Sequence, residues 1–251
     1  MHWLRQILNR TPAPELDSAA AWSEAEGRLP FLDRLTPEAR GRLRILAIEF
    51  LATKEFFGAE GFSVSNAMRL EIALQACLPV LEFGLDAYRD WVGIVVYQGE
   101  FVARRRILDE DGIEHEYDET AMGEASNFGP VVLGWFDDFA EADGANVVIH
   151  EFAHKLDMLN GDADGCPPLH RGMSLDSWIE AFDLAFNDFC ARVDAGEDTW
   201  IDPYASEDPA EFFAVCSEVF FTGSEVLKRE YPEVYQQLAL FYKQDPAKQD
   251  A

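Results

Sequence analysis

Helical spacing dominates the distribution of apolar residues along the chain. Thr36-Pro37-Glu38 sets a capping hydroxyl, a proline at the first helical position and an acid in the first turn ahead of Leu43, Leu46, Ala47, Phe50 and Leu51. This predicts a helix that runs to Gly58. A second helix is predicted from Ser65, with Leu70, Ala73, Leu74, Cys77, Leu78 and Leu81 facing inward and Pro79 bending or ending it. The period then changes. Residues 90–97 and 101–106, on either side of Gln98-Gly99-Glu100, predict two strands, and residues 128–136 predict another. Between them, residues 107–127 are polar and acidic and read as a loop or lid. Helical spacing resumes over 143–160, over 176–193 (Trp178, Phe182, Ala185, Phe186, Phe189), after Asp208, and from Ser224 with an interruption at Pro232. At the start, Trp3, Leu4, Ile7 and Leu8 make one or two amphipathic turns, and Thr11-Pro12-Ala13-Pro14-Glu15 reads as a linker.

Composition narrows the classes. The 251 residues are 48% hydrophobic and 13% aromatic, as in a globular protein with a substantial core rather than a disordered chain. The formal net charge of -27 argues against a nucleic-acid backbone or an anionic membrane surface as partner, since both need a basic face. Cys77, Cys166, Cys190 and Cys216 form no C-x-x-C pair, which fits reduced thiols. The first ten residues hold no apolar stretch long enough for a signal peptide or a membrane span, so a cytoplasmic location is expected.

The chemistry concentrates in Val147-Val148-Ile149-His150-Glu151-Phe152-Ala153-His154. Histidines four residues apart on a helix differ by about 40° in direction and one turn in height, so both imidazoles reach one metal ion. Neutral imidazole suits zinc, and a zinc with three protein ligands keeps a position for water. Glu151 stands beside the first histidine, where a carboxylate takes the proton of that water. A third ligand is needed further along the chain. His170 follows Cys166-Pro167-Pro168-Leu169 in what reads as a loop; Glu211 and Glu218 share one face of an apolar helix. These two carboxylates are seven residues and about 10 Å apart along the axis, too far for one ion to take both. Asp208-Pro209-Ala210-Glu211 is also a capping-box pattern, so Glu211 is either cap or ligand on spacing alone. Glu218 is either an acceptor for a ligand histidine or a solvated charge. Asn160-Gly161-Asp162-Ala163-Asp164-Gly165 imitates a calcium loop, but Arg171 stands where the bidentate glutamate belongs.

The segments IHEFAHKLDMLNGD and IDPYASEDPAEFFAVCSEVFF, with QACLPVLEFGLDAY and GPVVLGWFDD upstream, resemble the Mlc titration factor A family of zinc peptidases over roughly residues 35–245. The resemblance implies an α+β, zincin-like metallopeptidase domain with a helical N-terminal part and a small mixed sheet. It implies a gluzincin-like enzyme of aminopeptidase character, related to the catalytic domain of anthrax lethal factor. By position, His150 and His154 match the zinc histidines, Glu151 the catalytic base and Glu211 the third ligand. Tyr204 is placed to donate a hydrogen bond to the developing oxyanion, or else is a packed aromatic. His115 matches an additional zinc contact that would close the fourth position. Asp157, one turn past His154, either orients it or bonds locally. The chain departs from many gluzincins at Val215, where they carry an aspartate, so a carboxylate orienting a ligand must come from elsewhere.

The expected organisation is an N-terminal tail and linker (1–34), a helical and strand part (35–125) and a catalytic part (126–251), the last two forming one unit. The strand before the metal helix is expected either to be a plain core strand or to pair, as an edge, with substrate backbone. A peptide substrate is expected. The resemblance also implies the alternative of a regulatory protein whose latent zinc site accompanies binding to a transcriptional repressor.

Overall fold

The computed structural model describes residues 9–10, 18–108, 114–136 and 145–248. The architecture is α+β, with helices packed around one small mixed sheet. In chain order, β1 (Asn9–Arg10), α1 (Ala19–Gly27), a 3-10 turn (Pro30–Arg34), α2 (Pro37–Thr53), β2 (Glu55–Gly58) and α3 (Asn66–Cys77) come first. They are followed by β3 (Gly93–Gln98), β4 (Phe101–Leu108), β5 (Glu114–Ala121), β6 (Gly123–Ala125) and β7 (Val131–Trp135). The C-terminal half supplies α4 (Val147–Asp157), α5 (Leu175–Asp194), α6 (Pro209–Thr222), α7 (Ser224–Glu230) and α8 (Pro232–Tyr242). The main sheet has the order β1-β2-β3-β7-β6, with β2, β3 and β7 parallel and the outer strands antiparallel to their neighbours. β4 and β5 pair separately as an antiparallel ladder.

Three expectations need correction. The helix begun by Thr36 ends at Thr53 instead of running to Gly58. Lys54 is its extended C-cap, and the next residue turns to the sheet, with Glu55 N–H donating to Val92 O at 2.9 Å. The loop or lid expected over 107–127 is largely strand: β4 runs to Leu108, β5 covers Glu114–Ala121 and β6 follows. Those strands carry few apolar residues, so their pairing leaves little period-two hydrophobic signal. Of the two readings of the strand before the metal helix, the interior one holds: β7 lies between β3 and β6, and the sheet ends on that side with β6. Finally, residues 18–34 are no tail or linker. Trp22, Ala25, Leu29 and Leu32 are buried in the same core that reaches Tyr242 and Ala247. The N-terminal amphipathic turns expected over residues 3–8 and the linker over 11–15 lie outside the described residues.

The metal helix α4 sits at the centre, against β7 and β6 on one side and α6 and α3 on the others. Its inward residues Ile149, Phe152, Ala153 and Leu156 are fully buried. Phe152 joins Phe50, Tyr88 and Trp91 in an aromatic cluster with ring separations of 5.1 to 6.5 Å. This packing fixes the rotation of α4 about its axis and so aims its polar face.

Candidate metal centre

Two capped helix starts build the site. Asn146 caps α4, its side-chain oxygen accepting from Ile149 N at 2.9 Å. Asp208 caps α6, accepting from Ala210 N at 2.8 Å and from Glu211 N at 2.9 Å. Pro209 takes the first helical position, where a missing N–H costs nothing. With the cap supplied by Asp208, the Glu211 carboxylate turns to the histidines. Its Oε2 lies 2.9 Å from His150 Nε2 and 3.3 Å from His154 Nε2, and the two Nε2 atoms are 3.1 Å apart. Donor atoms bound tetrahedrally at about 2.0–2.1 Å from one ion lie roughly 3.3–3.4 Å from each other. The two imidazoles and the carboxylate thus fit a small divalent ion in both chemistry and spacing. They are the cluster of metal-binding side chains found among the described residues.

Electrostatics agree. Burial alone would lower the His150 pKa, but its hydrogen bonds to Glu211 and Glu218 hold it well above the usual histidine range. Burial would likewise raise Glu211, yet the bonds from His150 and His154 hold it well below the carboxylate range. A ligand imidazole must be neutral, so a metal taken up here would compete with a proton on His150.

Glu218 lies beneath the first histidine. Its Oε1 is 2.7 Å from His150 Nδ1 and its Oε2 accepts from Asn146 N at 2.6 Å. Asn146 Nδ2 in turn donates to Gln75 Oε1 at 2.8 Å, which ties α3 to the start of the metal helix. Glu218 is thus a buried carboxylate against His150 and not a solvated charge. Sequence reading missed Asn146 and Gln75. The cap was legible, since an asparagine precedes the apolar run; the Gln75 bond spans 71 residues and left no local signal.

Glu151 is 4% exposed, and its Oε2 has no hydrogen-bond partner among the described residues. Burial pushes its carboxyl up to about 7, against the opposing pull of His150 and His154. It faces a cleft of about 820 Å³ with β6 on one wall and Trp200, Pro203 and Tyr204 on the other. Tyr204, on a 3-10 turn (Pro203–Ser206), is 46% exposed, with its ring centre 6.1 Å from that of His150. Asp157 bonds locally: it accepts from Gly165 N at 2.8 Å and anchors the turn after α4. His170 Nε2 lies 2.8 Å from Phe241 O, away from the cluster. His115 falls in β5 opposite Ile107; its side chain lies outside the described residues.

The sequence of the glucose-regulated metallopeptidase M90 family matches residues 2–243. Among curated relatives, Mlc titration factor A of Salmonella schwarzengrund is 37% identical over 230 residues, covering 90% of this chain and 86% of its own. Mlc titration factor A of Escherichia coli O7:K1 is 36% identical over 233 residues, covering 91% and 88%. A cluster fit for a divalent ion, a buried carboxylate beside it and a match over nearly the whole length all agree: the chain belongs to the glucose-regulated metallopeptidase M90 family.

Proposed function

We propose that the protein is a zinc-dependent peptidase of aminopeptidase character, with His150, His154 and Glu211 as metal ligands. The observation that carries this reading is the convergence of three ligand atoms within 2.9–3.3 Å beside a buried, unpartnered carboxylate. Zinc held there lowers the pKa of a water molecule and polarises the scissile carbonyl. Glu151 accepts the proton as the water attacks and hands it to the leaving amine. Tyr204 donates to the oxyanion from the cleft wall. Gly123 of the terminal strand β6 lines the same cleft, which supports pairing of an extended peptide beside this strand. A ligand glutamate beside the helical histidine pair supports a gluzincin-like reading, and a cytoplasmic location suits free thiols.

Release of amine from aminoacyl-nitroanilides and from free and N-blocked peptides tests this in the zinc-loaded protein. Glu151→Gln is expected to retain zinc and to lose roughly 10²–10⁴-fold in turnover. Full activity in Glu151→Gln removes the proposed base, and equal hydrolysis of blocked peptides removes the aminopeptidase assignment. The name of the relatives, Mlc titration factor A, supports a second reading in which the chain also binds a repressor protein. A complex that survives Glu151→Gln, with no peptide turnover by the wild type, selects a latent site, closed by His115, over the enzyme.

A further inference from the structure

Gly123 opens the edge strand β6, opposite Leu133 of β7. A Cβ built on it falls 2.2 Å from Glu151 Oε1 and 2.7 Å from both Cδ and Cγ of the same side chain. Carbon and oxygen atoms that are not bonded stay more than about 3 Å apart, so the strand backbone lies directly on the Glu151 carboxylate. The strand is tied to β7 on one side: Gly134 N–H donates to Met122 O at 2.6 Å, and a Cβ on Gly134 would itself stand 2.8 Å from that oxygen. The three atoms nearest a Cβ at Gly123 all belong to the Glu151 side chain.

We propose that Gly123 is a positioning residue: its missing side chain is what lets the Glu151 carboxylate occupy its place under the edge strand. This rests on the peptidase reading for its kinetic consequence, though not for its geometry. A methyl group at 123 displaces a carboxylate and leaves the fold and the three metal ligands where they are. Catalysis is lost while stability and metal affinity are kept. A purely structural glycine would show the reverse.

The test compares zinc-loaded wild type, Gly123→Ala, Glu151→Asp and the double variant. Gly123→Ala is expected to lower kcat at least about 10²-fold, with KM within about threefold. Its melting temperature and its zinc affinity, measured by chelator competition, stay at wild-type values. Glu151→Asp retracts the carboxylate by one methylene, so the double variant loses no more than the worse single variant. Acetohydroxamate supplies a readout without turnover: it chelates the ion and donates a hydrogen bond to a carboxylate beside it. Its Kd is expected to weaken about tenfold in Gly123→Ala, again without adding to Glu151→Asp. Wild-type kcat in Gly123→Ala, additive losses, a rise in KM alone, or a variant that fails to fold or to bind zinc would each overturn the proposal. If the wild type hydrolyses no peptide, the peptidase reading fails by itself, and the hydroxamate cycle alone decides the role of Gly123.

Discussion

At the scale of single residues, the site is an arrangement of buried groups that satisfy one another. Glu218 shows the logic. One oxygen faces His150 Nδ1 and the other accepts a helix-start N–H, so the imidazole presents Nε2 to the cluster in a fixed orientation. Glu218→Ala is expected to weaken zinc binding roughly 10–100-fold by chelator competition; an unchanged Kd would show that Glu218 does not orient the ligand. His150, Glu151 and His154 were legible from four-residue spacing alone. Glu211 was ambiguous by spacing, because a glutamate at the third helical position is also a cap. In the structure Asp208 caps the helix start and the Glu211 carboxylate approaches the two histidines. The Asn146–Gln75 bond was not legible, because its partners meet only after α3 and α4 have packed.

At the scale of elements, short strands decide the geometry and were the hardest to read. β2 has only four residues, Glu55-Phe56-Phe57-Gly58, and exists because β3 pairs with it. The junction ahead of it carries Lys54, which is 8% exposed. Its ammonium donates to Tyr88 O and, at 2.5 Å, to Trp91 O, and lies 3.8 Å from the Trp91 ring centre. Burial, with the nearby charge of Lys155, lowers its pKa from 10.5 to about 8. Between those values the unfolded chain holds a proton that the folded chain has released, so stability rises with pH. The contribution is complete above 10.5 and is lost as pH falls through about 8. The unfolding free energy of wild type minus that of Lys54→Met should therefore climb between pH 8 and 10.5, by no more than about 3 kcal/mol. A difference that stays flat in urea titrations across this window would contradict it. β6, three residues long, matters more than its length suggests, because Gly123 lines the cleft and lies against Glu151.

At the scale of the whole molecule, one core joins the N-terminal helix to the last one. Trp22 on α1 is 5% exposed and shares the core with Tyr242 on α8. Trp22→Ala is expected to cost about 3–5 kcal/mol in denaturant unfolding, whereas a residue in a linker would cost almost nothing. The same continuity ties the metal helix to α3 and α6, so the cluster draws its donors from elements 57 residues apart. No helix among the described residues is long and apolar enough to cross a membrane. The charge of -27 leaves a surface unsuited to polyanions.

The long helices, the pair of histidines with its glutamate and the class of chemistry were all legible in the linear chain. These depend on periodicities of three to four residues, which a linear pattern records directly. It also determined the family, because two long motifs stand in the right order. Only the tertiary structure decided that Glu211 turns from its helix start toward the histidines and that Glu218 lies under His150. It alone placed β7 inside the sheet with β6 beyond it, and brought a glycine 28 positions away onto Glu151. The reason is the same in each case. Pairing, burial and close approach are relations between segments remote in the chain, and no single stretch of sequence contains both partners.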